Sequence, residues 1–150
     1  MRIEMLYIAV TLLFCCLLAI LDIRSRVLPN KLLLVLLISQ LLFLGIDAIN
    51  IVPFIIIMAF GLLTFALGYI GAGDVKYAAI LALALPLPQL VEALMLTAYS
   101  GGVLILFYYL KHRMTPGSLI QDVTLPYGVA ISVGFFLTIA SHQLQSQQLL

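Results

Sequence analysis

Charge is scarce in this sequence. Its 150 residues hold 7 lysines and arginines and 6 aspartates and glutamates, so 9% are charged and 65% are hydrophobic. A soluble domain carries about a quarter charged residues. A soluble core is therefore excluded, and an all-α polytopic membrane protein is expected. A net charge of +1 provides no field to hold nucleic acid. Cysteine is confined to Cys15 and Cys16, adjacent within the first apolar run. Neighbours so placed are poor disulfide partners and lack metal-ligand spacing, so they read as packing residues. Bulky Phe14 before them argues against a lipoprotein cleavage site. Histidine is limited to His112, flanked by Lys111 and Arg113, and His142 near the end. There is no His-Glu-x-x-His for a zinc protease. Both histidines read as solvated, and neither a metal nor a cofactor is expected. Ser100-Gly101-Gly102 lies inside a span without a histidine beside it, so it reads as helix packing rather than a serine site, as does the Ala130/Gly134 spacing.

Apolar runs of about 20 residues cross a bilayer, and the chain has room for about six. The expected spans cover residues 5–21, 32–46, 51–70, 77–88, 89–110 and 125–140, forming a single integral-membrane domain over 1–150. The first run lacks a small-x-small cleavage pattern and reads as a retained helix. Pro29-Asn30 marks a turn or the start of the second helix. Pro86-Leu87-Pro88 cuts the fourth span short, so that helix is expected to tilt or end in the interface. Glu92 suits the positive end of the fifth helix dipole. Pro126 opens the sixth helix. The glutamine-rich tail from Ser141 is expected to fray.

Alternate loops carry Arg24, Arg26, Lys31, Lys76, Lys111 and Arg113, and the opposite set of loops and tails carries only Arg2. Cations favour the cytoplasmic side. Both termini are therefore expected outside the cytoplasm. Tyr108 and Tyr109 sit where interfacial anchors belong, and Tyr127 reads either as an anchor or as a site-lining residue.

The most informative stretch is Gly71-Ala72-Gly73-Asp74-Val75-Lys76, a charged island read as a flexible loop between two apolar runs. An acid at a membrane boundary is costly without water, a partner or a substrate. The two glycines permit a sharp turn and close approach of another chain. On this topology Asp22, at the end of the first helix, shares the depth of Asp74. Two carboxylates within reach of each other repel, so one pKa rises and the pair titrates as a unit. One can then take a proton from water while the other protonates a carbonyl oxygen. The bland readings stand beside this. Asp47 and Asp122 read as caps or solvated loop residues. Asp22 alone reads equally as a helix-end residue, and Asp74 as a loop acid pairing with Lys76. A small membrane transporter or proton-conducting subunit would use similar acids, although its acids belong nearer the bilayer midplane. An inert scaffold leaves the shared depth unexplained.

The segment Gly71 to Ala79 resembles the Gly-x-Gly-Asp signature of the type IV prepilin peptidases. Asp22 to Lys31, with its Arg26 and its Pro29-Asn30 ending, is similar to that family's first aspartate motif. Pro126-Tyr127-Gly128 resembles the segment that opens the last helix of small members. The resemblance implies an aspartyl endopeptidase of the bacterial inner membrane, an enzyme of pilus biogenesis and protein secretion. It would cut the basic leader from prepilins or pseudopilins at the cytoplasmic face, with Asp22 and Asp74 as the catalytic pair. Gly71, Gly73, Lys76, Arg26, Pro29, Asn30, Pro126, Tyr127 and Gly128 would support the site. The implied partners are the prepilin, with its leader and hydrophobic helix, and the lipid bilayer. Larger relatives carry a cysteine-paired cytoplasmic insert and also methylate the product. This chain has no Cys-x-x-Cys and no such insert, so peptidase activity without methyltransferase activity is expected, as in the compact peptidases of tight-adherence (Flp) pili. The archaeal preflagellin branch shares the aspartate logic.

Overall fold

The computed structural model describes residues 2–114 and 125–148. Every regular element among them is helical: α1 (Arg2–Ser25), α2 (Asn30–Leu44), α3 (Ile51–Ala66), α4 (Ala72–Ala82), α5 (Leu87–Met114) and α6 (Tyr127–Gln148), with a 3₁₀ turn at Ile46–Ala48. Local chemistry sets the ends. Arg26 closes α1 with a left-handed φ of 55°, and its amide reaches the Asp22 carbonyl at 3.1 Å. Pro29, with φ −66° and ψ 126°, stands immediately before α2 and cannot itself extend a helix backward. Gly45 ends α2 at φ 69°. Pro88 is tolerated because it falls in the first turn of α5.

Two boundaries differ from the sequence expectation in ways that matter. The third span was expected to reach residue 70, but α3 stops at Ala66. Gly68 adopts φ 78°, its amide bonds to the Phe65 carbonyl at 2.9 Å and the Tyr69 amide bonds to the Thr64 carbonyl at 3.0 Å. This is a Schellman stop, which needs a glycine at this point. The supposed loop at 71–76 is instead mostly helix. Gly71 is the N-cap of α4, and Asp74 and Lys76 lie within its first turns. Smaller corrections follow the same logic. α6 begins at Tyr127, directly after Pro126, and stays helical through Gln148 rather than fraying after residue 140. Glu92 falls beyond the first turn of α5. Asp22 sits one turn before the end of α1. The loop containing Asp122 lies outside the described residues.

The short fourth helix is the centre of the bundle. Every residue from Tyr77 to Leu85 is buried. At 1.5 Å per residue, its 11 residues span about 16 Å, roughly half the hydrocarbon thickness. A helix enclosed by other helices does not have to match that thickness. Ala78, Ala79, Ala82 and Ala84, all buried, let its neighbours close in. α3, α2 and α6 pack on α4, while α5 and α1 pack on α6. Glycines make the tightest crossings: a Cβ on Gly61 would enter the Val75 side chain, and one on Gly134 would enter Thr97 and stand 2.8 Å from the Ala93 carbonyl oxygen. Large apolar side chains such as Leu42, Phe60 and Met95 face outward, as lipid contact requires.

Three helical stretches, Ile3–Ser25, Leu87–Lys111 and Tyr127–Ser146, are long and apolar enough to cross a membrane. α2 and α3 are apolar but shorter. The fold is that of a helical membrane protein.

Candidate functional site

The buried face of α1 runs through Tyr7, Thr11, Cys15, Leu18 and Asp22. Their spacing of four, four, three and four residues is one helical stripe. Asp22 therefore points inward with that stripe and is only 6% exposed. It meets the first turn of α6. The Gly128 amide donates to Asp22 Oδ2 at 2.7 Å, and the Val129 amide also donates to this carboxylate. Pro126 precedes α6 and has no side-chain acceptor, so Asp22 does from another helix what an N-cap side chain does from its own. The approach requires glycine: a Cβ at residue 128 would lie 2.9 Å from Oδ2 and 3.1 Å from Cγ of Asp22.

Asp74 arrives from the other side. It occupies the third position of α4 and accepts a bond from the amide of Gly71, the N-cap residue. This is one half of a capping box. A Cβ at residue 71 would stand 3.1 Å from Asp74 Oδ2. Asp74 is half-buried. Burial, and after it the negative charge of Asp22, push its carboxyl up from 3.8 to about 6.

The two aspartates line one cleft of about 560 Å³, together with Arg26, Tyr69, Gly71 and Tyr127. It opens where α1 ends, where the α3–α4 turn passes and where α6 begins. The Arg26 charge acts on Asp22. Its guanidinium also lies over the Tyr108 ring, 5.9 Å from the centroid, with Nη2 3.4 Å from the Tyr108 hydroxyl. A non-glycine residue at positive φ is uncommon and strained, and here that conformation places a cation at the mouth of the cleft.

One turn below the carboxylates, three helices are tied by hydroxyls. Tyr77 Oη and Ser132 Oγ are 2.8 Å apart. Ser132 Oγ also lies 3.2 Å from the Cys15 carbonyl oxygen and 2.7 Å from that of Gly128. This knot joins α4, α6 and α1 and fixes the relative height of the helices that carry Asp74 and Asp22.

The residues singled out in the sequence divide into two groups. Asp22, Asp74, Arg26, Gly71 and Tyr127 line the cleft, and Gly128 holds Asp22. Pro126 is buried before α6, and Gly73 makes room for Leu28, whose Cβ would be 3.2 Å from an added Cβ. Lys76 and Asn30 lie elsewhere: Lys76 Nζ donates to Asn30 Oδ1 at 3.2 Å, and both line a separate apolar groove with Leu33 and Phe54. Lys76 thus bonds to Asn30 rather than pairing with Asp74. Pro29 is exposed beside them. Tyr69, Phe65 and the Tyr77–Ser132 pair were not expected from the sequence. A hydroxyl inside an apolar run shows that a partner is needed, but not which one.

The profile of the type IV leader peptidase family matches residues 9–106 of the chain. That range contains both aspartates and stops short of Gly128. No curated protein and no solved structure gives a significant match.

Proposed function

The chain belongs to the type IV leader peptidase family, and on that premise we propose that it is a two-aspartate endopeptidase. In this reading it cuts the basic leader from type IV, Flp-like prepilins or pseudopilins. The observation that carries the reading is that Asp22 and Asp74, from different helices, line the same cleft.

The environments of the two acids favour different roles. At Asp22 burial works against the anion, and the amide bonds at the start of α6 together with the Arg26 charge work for it. Asp74 is held near 6 by burial and by Asp22, so it is the acid more ready to keep a proton. Asp22 takes a proton from water as the water oxygen bonds to the scissile carbonyl carbon. Asp74 gives its proton to the carbonyl oxygen. The resulting gem-diol collapses, the C–N bond breaks and the nitrogen leaves with a proton relayed from the pair. No covalent intermediate forms. Substrate contact closes whatever gap the resting site leaves, as catalytic geometry commonly tightens on binding.

The cations Arg24, Arg26, Lys31, Lys76, Lys111 and Arg113 flank this end of the bundle in sequence. We place that end in the cytoplasm of a bacterial inner membrane on the positive-inside rule, with the whole chain acting as one peptidase domain. The residues carry no Cys-x-x-Cys insert, so we assign no methyltransferase activity. The test is co-expression of a cognate prepilin with the wild type, Asp22→Asn or Asp74→Asn, with product size read on a gel. Leader removal by the wild type alone, with both variants accumulating in the membrane, supports the reading. Wild-type cutting by either variant overturns it.

A further inference from the structure

A second cavity begins where the aspartate cleft ends. It encloses about 390 Å³, and Ile70 and Asp74 line both spaces. Its floor is α4 and α6, through Ala78 and Ile131, and its walls are α3 and α5, through Phe60, Thr64, Leu94 and Thr97. α3 packs on α4 and α5 packs on α6, while α3 and α5 barely touch. The cavity is therefore a slot between two outer helices. Phe60 is 67% exposed and Leu94 42%, so the slot faces the bilayer.

The slot offers a ligand almost nothing polar. Thr64 Oγ1 donates to the Phe60 and Gly61 carbonyls at 3.1 and 2.9 Å. Thr97 Oγ1 donates to the Ala93 carbonyl at 2.7 Å. Both hydroxyls are satisfied within their own helices. Among the described residues Asp74 is the one ionisable lining group, and it stands at the end shared with the polar cleft. A bound chain running from the cleft into the slot thus changes from hydrated to apolar surroundings at Asp74.

We propose that this slot is the docking site for the first apolar side chains on the hydrophobic side of the scissile bond, and that Thr64, Ala78 and Leu94 set which side chains are accepted. The inference rests on the peptidase reading above and adds to it the surface that selects the substrate. The occupant is a peptide segment rather than a lipid tail, because the slot is continuous with the cleft at the acid the reaction uses. A substrate held there has its peptide bond delivered to Asp74, and apolar burial provides the binding.

The experiment uses the purified full-length protein in liposomes and two synthetic prepilins. In one, the first four residues beyond the cut are leucine; in the other they are alanine. Both residues favour helix, so the pair differs mainly in apolar bulk. The quantity read is the ratio of kcat/KM for the leucine over the alanine substrate, which is insensitive to the fraction of folded enzyme. Thr64→Phe narrows the slot and is expected to lower that ratio about ten-fold or more, chiefly through KM. Leu94→Ala widens it, and for a third prepilin with phenylalanine at the same positions the ratio of kcat/KM over the alanine substrate is expected to rise. Ratios unchanged in both variants overturn the proposal and leave the slot to lipid. Failure of the wild type to cut either substrate is a different result, since it removes the peptidase reading itself.

Discussion

Gly128→Ala adds a single methyl group and tests how Asp22 is held. The new Cβ would sit 2.9 Å from Asp22 Oδ2, 3.1 Å from Cγ and 3.2 Å from Cβ. These distances are several tenths of an ångström too short, and three atoms of one side chain are affected together. Asp22 has little room to retreat, because it lies on the inward stripe of α1 and is 6% exposed. It must swing away from α6 and give up the 2.7 Å bond from the Gly128 amide. A hydrogen bond to a charged group contributes about 1.5–3 kcal/mol. A misplacement of about 1 Å at a reacting group lowers rates by about 10²-fold. Both routes predict a loss of about 10- to 150-fold in kcat, with KM little changed. Helix propensity works the other way, since alanine favours α6 by up to about 1 kcal/mol over glycine. The variant should therefore still accumulate in the membrane. The assay is leader cleavage by purified protein, with thermal denaturation in detergent as the control. A folded Gly128→Ala protein that cuts at the wild-type rate would refute the account of how Asp22 is positioned.

Three other outcomes follow from the same geometry. Asp74 stands near 6 rather than 3.8, and in its proposed role as proton donor it must carry a proton, so kcat/KM should fall about ten-fold per pH unit above roughly pH 6; a flat profile from pH 5 to 8 contradicts the assignment. The same rise has a stability consequence: the folded state favours protonated Asp74, so its contribution is fully present below pH 3.8 and is lost as pH rises through about 6. Asp74→Asn removes that loss and, after allowance for the solvent in the cleft, should stabilise the protein at pH 7.5 by about 1–2 kcal/mol in detergent denaturation, an expectation that unchanged or lower stability would contradict. Tyr77→Phe removes one bond of the hydroxyl knot while Ser132 keeps its two carbonyl acceptors, so it should cost about 0.5–1.5 kcal/mol and slow cleavage without abolishing it, and a variant as stable and active as the wild type would show that the knot does not set the site.

Much of the site was legible because charge is so rare here. Asp22 and Asp74 stand out as acids beside apolar runs, and the structure brings both to one cleft. Gly128 and Gly71 were visible only as parts of motifs; the structure adds the reason, which is that each lies against an aspartate oxygen. Hydropathy could not tell the buried α4 from a short lipid-facing span, because lipid and protein interior are equally apolar. The usable signal was the set of small residues Ala78, Ala79, Ala82 and Ala84. The stop at Gly68 was hidden for another reason. A Schellman turn is a backbone event, and a glycine flanked by leucine and tyrosine does not interrupt an apolar run. The inward face of α1 was likewise marked by Thr11, Cys15 and Asp22 rather than by its apolar residues, which cover the helix all round.

In the proposed mechanism Asp22 and Asp74 work as one unit. The most direct measurement is kcat/KM for prepilin cleavage by purified wild type, Asp22→Asn, Asp74→Asn and the double variant in liposomes, with the cut site identified by mass spectrometry. A shared acid–base step predicts that each single variant loses nearly all activity and that the double variant is no worse than either. A single variant within about ten-fold of wild type, or a double variant whose loss is the product of the two single losses, would contradict it.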